Sequence, residues 1–550
     1  SCVVYKHRLD LRSRVSGRWC LQRGKLPVAQ YPAYGCRRRV ETRRDAEDES
    51  DFNESHAWAC VALLAVLYAF RAFWNYFRTV KFILTNLNGP PALPLVGNCR
   101  LVTDKDLLQR MSHTRYDMYG TIFRIWLTVF PVVILLEPAD IQVVLGSTKH
   151  LEKNVFYSFL HNLVGDGLVL SDVDRWKIHR KILQPAFNMN ILNRFTDTFI
   201  DGANRLIRKL MNSAEKNIDL TKFVNDSVVN ILNEIVFGVT MASKEQRQTE
   251  DEESPFRKGQ LTALYRLMRP WLWVNRIYEM TAVAKREEAF HAELLTVCKK
   301  MMDERREVIG KTKPDVKDEV DDSQRRTSIL EFMIEASEKN PSITENDILN
   351  ECCAFMLVGQ DAVAFAITIT MFLLAAHPEW QQRCVRELED IFEGDSRSPT
   401  TDDLRKMRCL EMCIKESLRL YPSVPVFGRK LREDTKVGNY VIPAGCEVMF
   451  LPYVTHRLPH FYPDPHTFDP TRFDPDSNEN RHRYAYFPFS AGPRNCIGYK
   501  FAMLEMKALI SVVLRNFHLS TVPGKDELRL KYRITLRAKG GVWVNLRRRY

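Results

Sequence analysis

The sequence predicts a mainly α fold with small β-sheets, and three observations carry that expectation. Residues Ile348 to Ala376 are apolar on nearly every face and run up to Pro378, the pattern of a long buried helix. Tyr499 to Asn516 has the apolar spacing of a second helix, with Phe501, Leu504, Ala508 and Val512 on one side. From Lys105 to Val239 the pattern is again mostly helical, interrupted at Thr121 to Glu137, where Ile125, Leu127, Val132, Val133 and Ile134 predict a short sheet.

With 550 residues the chain has room for one large domain or several ordinary ones. A hydrophobic content of 45% excludes wholesale disorder. The net charge of +12 is concentrated near the start, where residues 1–44 are Arg-rich and residues 45–54 acidic. The remainder is mildly basic without the charge blocks of a nucleic-acid binder, so no nucleic-acid partner is expected. Thirteen cysteines, an odd number, lack any Cys-x-x-Cys pair or zinc-type spacing, which points to free thiols in a reducing compartment. Cys409 and Cys413, four apart, read as packing residues on a helix.

Residues 1–55 are expected to be an N-terminal extension without fixed structure, or an artefact of the gene model; as an Arg-rich, acid-poor start, residues 1–44 also resemble a mitochondrial presequence. Residues 56–84 read as a membrane anchor with a basic flank. Ala57 to Phe70 is an unbroken apolar run continued by Ala72-Phe73-Trp74, and such a helix spans roughly 27 Å of an about 30 Å hydrocarbon core. Acids precede it and Arg71, Arg78 and Lys81 follow, so the bulk of the chain is expected on the cytosolic side. A stiff Pro-rich hinge at 89–97 then leads into a catalytic domain over 85–550.

Farther along, Gln246 to Ser254 and Lys311 to Arg326 are charged and aperiodic and read as exposed loops, and Pro270 to Trp273 form an aromatic cluster. Thr344-Glu345-Asn346-Asp347 is a capping box opening the long helix. Inside that helix, Val358-Gly359-Gln360-Asp361-Ala362 sets a carboxylate in apolar surroundings, where an unpaired charge is costly unless it has a use. Ile534 to Leu546, around Gly540-Gly541, alternates as a β-hairpin.

The most informative stretch is Phe489-Ser490-Ala491-Gly492-Pro493-Arg494-Asn495-Cys496-Ile497-Gly498. Cys496 offers a sulfur on an open loop just before a helix N-terminus, which favours negative charge. Gly492 and Gly498 let backbone lie close under a flat ligand, Phe489 can shield the sulfur from water, and Arg494 can pair with a carboxylate. A buried structural cysteine beside a glycine turn is the plain alternative, but five matched residue types in ten positions argue against it.

The stretch resembles the haem-ligand signature of the cytochrome P450 family, Phe-x-x-Gly-x-Arg-x-Cys-x-Gly. Its continuation Lys500-Phe501-Ala502-Met503-Leu504-Glu505 resembles the family 4 branch, the insect 4aa-type members in particular. The resemblance covers roughly residues 85 to 546. It implies the cytochrome P450 fold, a single large haem domain behind an N-terminal anchor, with haem b held through Cys496. It further implies that Trp176 and Arg180 (the Trp-x-x-x-Arg pair), Arg429 and Arg494 donate to the haem propionates. Glu416-Ser417-Leu418-Arg419 matches the family's Glu-x-x-Arg, and Arg472 in Pro470-Thr471-Arg472-Phe473 completes a structural triad of Glu416, Arg419 and Arg472. By itself Glu-x-x-Arg says little, since Glu41 to Arg44 repeats it.

Asp361 matches the family's proton-relay acid, whereas Ala362 stands where the family has a threonine, and neither Val363 nor Ala364 replaces the hydroxyl. Val358 stands where many family 4 members carry the glutamate that esterifies haem, so the haem is expected not to be covalently attached. The resemblance implies a monooxygenase of the endoplasmic reticulum membrane, inserting one oxygen atom of O2 into a small hydrophobic substrate (fatty-acid-like, hormone or xenobiotic). Electrons would come from NADPH through NADPH-cytochrome P450 reductase, with cytochrome b5 as a second donor. Arg175, Lys177 and Lys181, expected on the outer face of the Trp176 helix, would suit an acidic donor. The alternative from another enzyme class is a haem-thiolate isomerase or dehydratase acting on a peroxide without external O2, which needs no proton relay. A mitochondrial location follows if residues 1–44 are a true presequence.

Overall fold

The structure is a computed structural model and describes residues 37–94, 96–98, 116–213, 215–238, 262–267, 269–311, 328–475, 481–532 and 534–549. Both expected loops, Gln246–Ser254 and Lys311–Arg326, lie outside these residues, except that Lys311 ends a helix beginning at Ala282. The chain divides into two units, one ending at Phe73 and one beginning at Trp74.

In the first unit the described residues are helical, the start of helix α1, Arg37–Asn86. Helix therefore begins inside the stretch 1–55, for which none was expected. Trp58–Asn86 is long and apolar enough to cross a membrane, and none of its apolar window is buried by protein. Trp58, Leu63, Leu64 and Phe70 are all more than half exposed. Leaving each in water forgoes about 1.5–3 kcal/mol, which a bilayer would recover.

In the second unit, β1 (Ile122–Leu127) and β2 (Phe130–Leu135) pair antiparallel, with Ile122 opposite Leu135. Two strands from much later in the chain, β3 (Phe427–Lys430) and β4 (Glu447–Phe450), complete the sheet in the order β1-β2-β4-β3, with β2 and β4 parallel. The Pro-rich stretch is not a free hinge. Leu93 and Gly97 exchange backbone hydrogen bonds of 3.1 and 2.8 Å, and the Asn98 side chain accepts from Trp126 N at 2.7 Å. Gly97, at φ +62°, lies against the Trp126 and Thr128 carbonyls, where a Cβ would collide. Prolines, lacking N–H donors, are at home on such a sheet edge.

Helices α2 (Val173–Leu183), α3 (Met189–Met211), α4 (Leu220–Phe237), α5 (Glu345–Ala376), α6 (Arg408–Leu420) and α7 (Tyr499–Asn516) build the main core. Helix α5 opens with the full capping box: Thr344 Oγ1 accepts from Asp347 N and the Asp347 carboxylate accepts from Thr344 N. Although α5 is apolar and long enough to cross a membrane, 72% of its apolar window is buried inside the protein, which makes it the central core helix.

The C-terminal stretch corrects the sequence reading. Leu536–Ala538 pairs with Leu530–Tyr532, while Trp543–Arg548 pairs with Phe517–Thr521 and Asn217–Asp219, so 534–546 is split between two sheets instead of forming one hairpin. The cause is Asp219. Its carboxylate caps α4 at Thr221 N and also accepts from Val542 N at 2.9 Å, sitting where a Cβ on Gly541 would be and turning the chain away.

Candidate functional site

The Cys496 loop is closed on itself. Cys496 N donates to Phe489 O at 2.9 Å and Asn495 N to Gly492 O at 3.2 Å, while Gly492 takes φ +75° at a point where a Cβ would run into the Leu145 carbonyl. Only a residue without a Cβ fits there. Gly498 is different: its φ is ordinary, and a Cβ would meet nothing closer than the Phe187 ring at 3.9 Å. It caps α7, so Cys496 stands just ahead of that helix's N-terminus. Phe489 is half-buried, with its ring 4.9 Å from that of Tyr499. Burial raises the Cys496 thiol above its usual pKa, opposed by the Gly498 N–H and by the nearby Arg180 guanidinium. Cys496 keeps accessible surface.

Positive charge is gathered beside this loop. Arg429 is 2% exposed and Arg494 6% exposed, and Lys153 is close enough to both that burial and these two charges push its pKa well down. Burial holds the Arg494 guanidinium down too, to about 10, with Arg429 adding to the effect. Among the described residues no carboxylate makes an ion pair with Lys153, Arg429 or Arg494. Arg494 donates instead to the carbonyls of Leu151 and Ser171, both at 2.6 Å, leaving its buried Nε without a partner, and lies 5.2 Å over the Trp176 ring. Arg429 donates to Gly428 O at 3.0 Å and Arg494 O at 3.4 Å. Arg180, on the same helix as Trp176, holds the Asn495 side chain and carbonyl, each at 2.9 Å, and so braces the cysteine loop.

This donor set fits haem b. A thiol with accessible surface ahead of a helix N-terminus, and buried arginines without carboxylate partners beside it, are what an iron porphyrin with two carboxylates requires. A cavity of about 850 Å³, walled in part by Lys153, Tyr157, Ser171, Tyr278 and Arg494, adjoins the cations, but Cys496 is not on its wall.

Behind the loop, Glu416, Arg419 and Arg472 come together. Arg419 grips Glu416 with two bonds of 2.7 and 2.8 Å, both side chains wholly buried, and turns its remaining N–H groups to the His456, Pro465 and Thr467 carbonyls. Glu416 also accepts from Asp469 N at 2.9 Å, and Arg472 Nε lies 3.6 Å away. Burial outweighs Arg419 and raises the Glu416 pKa.

Asp361 does not stand free in the helix: it is ion-paired with Arg537, a partner that no local pattern places there. The Ala362 carbonyl accepts from Ser423 Oγ at 2.7 Å, and Ser423 O accepts from Leu536 N at 2.9 Å, tying the loop after α6 and the C-terminal strand to this turn of α5. Val358 is 42% exposed and presents only methyl groups. The basic patch is smaller than expected. Arg175 turns inward to Asp347 and Asp166, and Lys177 lies 3.5 Å from Asp174, while Lys181 is exposed. Sequence reasoning also missed Lys153, Ser423 and Arg537, and no spacing or motif marks any of them.

The cytochrome P450 family model matches residues 87–543. Over 485 residues, 88% of this chain and 93% of the relative, the chain is 46% identical to "Probable cytochrome P450 4aa1" of Drosophila melanogaster. It is 35% identical to "Cytochrome P450 4c3" of the same fly, over 88% of this chain and 94% of the relative, and 32% identical to human "Cytochrome P450 4V2", over 89% and 93%. The chain belongs to the cytochrome P450 family, in its family 4. It is thus a haem-thiolate monooxygenase with haem b as cofactor, a redox partner and hydrophobic substrates as a class.

Glu416→Ala would strand the buried Arg419 charge, at a cost of about 3–5 kcal/mol. Arg472→Ala removes a longer contact and should cost clearly less. Urea midpoints of the two haem-loaded variants test the ranking, and equal losses would contradict it.

Proposed function

We propose that this member of the cytochrome P450 family oxygenates an elongated hydrophobic substrate, fatty-acid-like in character, at the endoplasmic reticulum membrane, with its catalytic unit in the cytosol. Electrons come from NADPH through NADPH-cytochrome P450 reductase, with cytochrome b5 as an auxiliary donor. One observation carries the site assignment: Cys496 lies at the N-terminus of α7 beside buried Arg429 and Arg494, which have no carboxylate partner among the described residues.

In this reading the Cys496 sulfur would hold the haem iron, and Arg429, Arg494, Lys153 and Trp176 would neutralise or bond the propionates. The chemistry that haem b would supply there is activation of dioxygen for insertion of one oxygen atom into a C–H bond. Gly492 keeps the loop tight against Leu145, Phe489 packs its ring against Tyr499 beside the loop, and Arg180 fixes Asn495 so that the sulfur keeps its position. Asp361 is the candidate proton-relay acid; its carboxylate must part from Arg537 and take up a proton from water before it can pass one toward the site. Ala362 supplies no hydroxyl, so water or a substrate hydroxyl takes that place. In the aromatic cluster, exposed Trp271 joins Val274, Ile277 and Met280 in an apolar surface suited to contact with lipid, while Trp273 packs inward on Phe130, Phe156 and Phe159.

A second reading has one observation in its favour. With Asp361 engaged by Arg537 and no alcohol at 362, the chain is also suited to isomerising or dehydrating a peroxide, which takes no protons from a relay.

Cys496→Ser should abolish the red-shifted Soret band of the reduced carbonyl adduct; its survival would remove the ligand assignment. NADPH consumption with reductase, accelerated by a lipid substrate, supports oxygenation, whereas turnover of a lipid peroxide without NADPH supports the second reading. Ala362→Thr should lower the peroxide formed per NADPH consumed by about 2-fold or more if a missing hydroxyl limits proton delivery. Acid–organic extraction should separate haem from the polypeptide, because Val358 offers no carboxylate for an ester; haem remaining on the chain would contradict that.

A further inference from the structure

Helix Pro378–Phe392 and helix α6 bring three thiols together, away from the Cys496 loop. Cys384 Sγ lies 3.6 Å from Cys409 Sγ and 3.6 Å from Cys413 Sγ, and all three sulfurs fall within 4.8 Å of one another. The sequence places two of them one turn apart on one helix; the third arrives from an earlier helix. Packing alone accounts for one such contact, as at Cys298 and Cys353, whose sulfurs are 3.5 Å apart with no third ligand atom gathered there among the described residues.

Separation decides what a triangle of sulfurs is suited to. A disulfide brings two sulfurs to about 2 Å, and Cys384 could bond only one of its neighbours. A tetrahedral ion with metal–sulfur bonds of about 2.3 Å holds its sulfurs about 3.8 Å apart. Both measured edges lie close to the second value.

The surroundings are asymmetric in a way that suits an ion. Cys384 and Cys413 are fully buried and Cys409 is half-buried, so two sides are dry and one is open to entry. Glu387, one turn after Cys384, accepts from the backbone N–H groups of Cys409 at 2.6 Å and Leu410 at 3.1 Å, which fixes the start of α6 and so the positions of Cys409 and Cys413. The Arg383 guanidinium lies 4.5 Å over the Trp380 ring, within electrostatic reach of Cys409.

We propose that Cys384, Cys409 and Cys413 form a structural site for a thiophilic divalent cation of the zinc class, with its fourth position toward solvent on the Cys409 side. Each thiol releases its proton to water as its sulfur takes a bond to the ion. Three thiolates and one dication leave a single negative charge, which Arg383 offsets. Because Cys409, Cys413 and Glu416 fall at i, i+4 and i+7 of α6, the ion would clamp the helix that carries the Glu416–Arg419 pair without touching the haem site.

The test uses the full-length, haem-loaded chain, purified in detergent with a reductant, stripped with a mild chelator and re-exposed to Zn2+. Zinc counted against haem iron by mass spectrometry should approach one per chain, and the zinc X-ray absorption spectrum should show three sulfur neighbours. Cys384→Ser and Cys409→Ser, each checked for folding by its reduced carbonyl spectrum, should weaken zinc affinity by at least the ~10–100-fold that loss of a supporting contact brings. Cys298→Ala should leave it unchanged. Half-buried Cys409 tolerates a serine more readily than Cys384, so one variant remains informative if the other fails to fold. Zinc well below one per chain, fewer than three sulfurs, unaltered affinity in the serine variants, or recovery of Cys384 in a disulfide would each overturn the proposal.

Discussion

Buried Arg429 and Arg494 and half-buried Lys153 lie together with no carboxylate in ion-pair range among the described residues. Burying a lone charge costs several kcal/mol, and like charges close together cost more. The fold meets part of this with backbone carbonyls at Leu151, Ser171 and Gly428, and with the faces of Trp176, Phe427 and Tyr157. In the reading proposed above, the carboxylates of the cofactor would meet what carbonyls and rings leave uncompensated, which would couple cofactor binding to the stability of this region.

The opposite arrangement holds behind the cysteine loop. Glu416 and Arg419 are also wholly buried, but nearly every donor and acceptor between them is matched, and the carbonyls they collect come from His456, Pro465 and Thr467. One ion pair thereby gathers the segment that precedes the cysteine loop and sets it against α6. His456 continues the connection, its Nε2 accepting from Phe487 N at 2.9 Å, two residues before Phe489. A satisfied buried network of this sort specifies geometry more than it adds stability.

Around Asp361 the same logic joins three distant parts of the chain. Arg537 from the C-terminal sheet neutralises the carboxylate, and Ser423 from the loop after α6 bonds the next carbonyl along the helix. The central helix is therefore held at its acid-bearing turn from two sides, and any motion there must break a charge-assisted contact.

Local pattern encodes a good part of this molecule. Helical periodicity marks α5 and α7, the capping box marks where α5 starts, alternation marks β1 and β2, and the cysteine loop carries its family in ten residues. Pattern misleads where an element's fate rests on distant partners. The Pro-rich stretch looks like a linker because prolines stiffen a chain, but its backbone bonds to β1 are long-range. Residues 534–546 alternate like a hairpin, but Asp219 divides them between two sheets. Arg175 looks like surface charge until Asp347 draws it inward. Only folding brings Lys153 to Arg429, Arg537 to Asp361, and Cys384 to Cys409 and Cys413. The reason is physical: an ion pair or a sulfur contact depends on position in space, and periodicity carries no information about residues far apart along the chain.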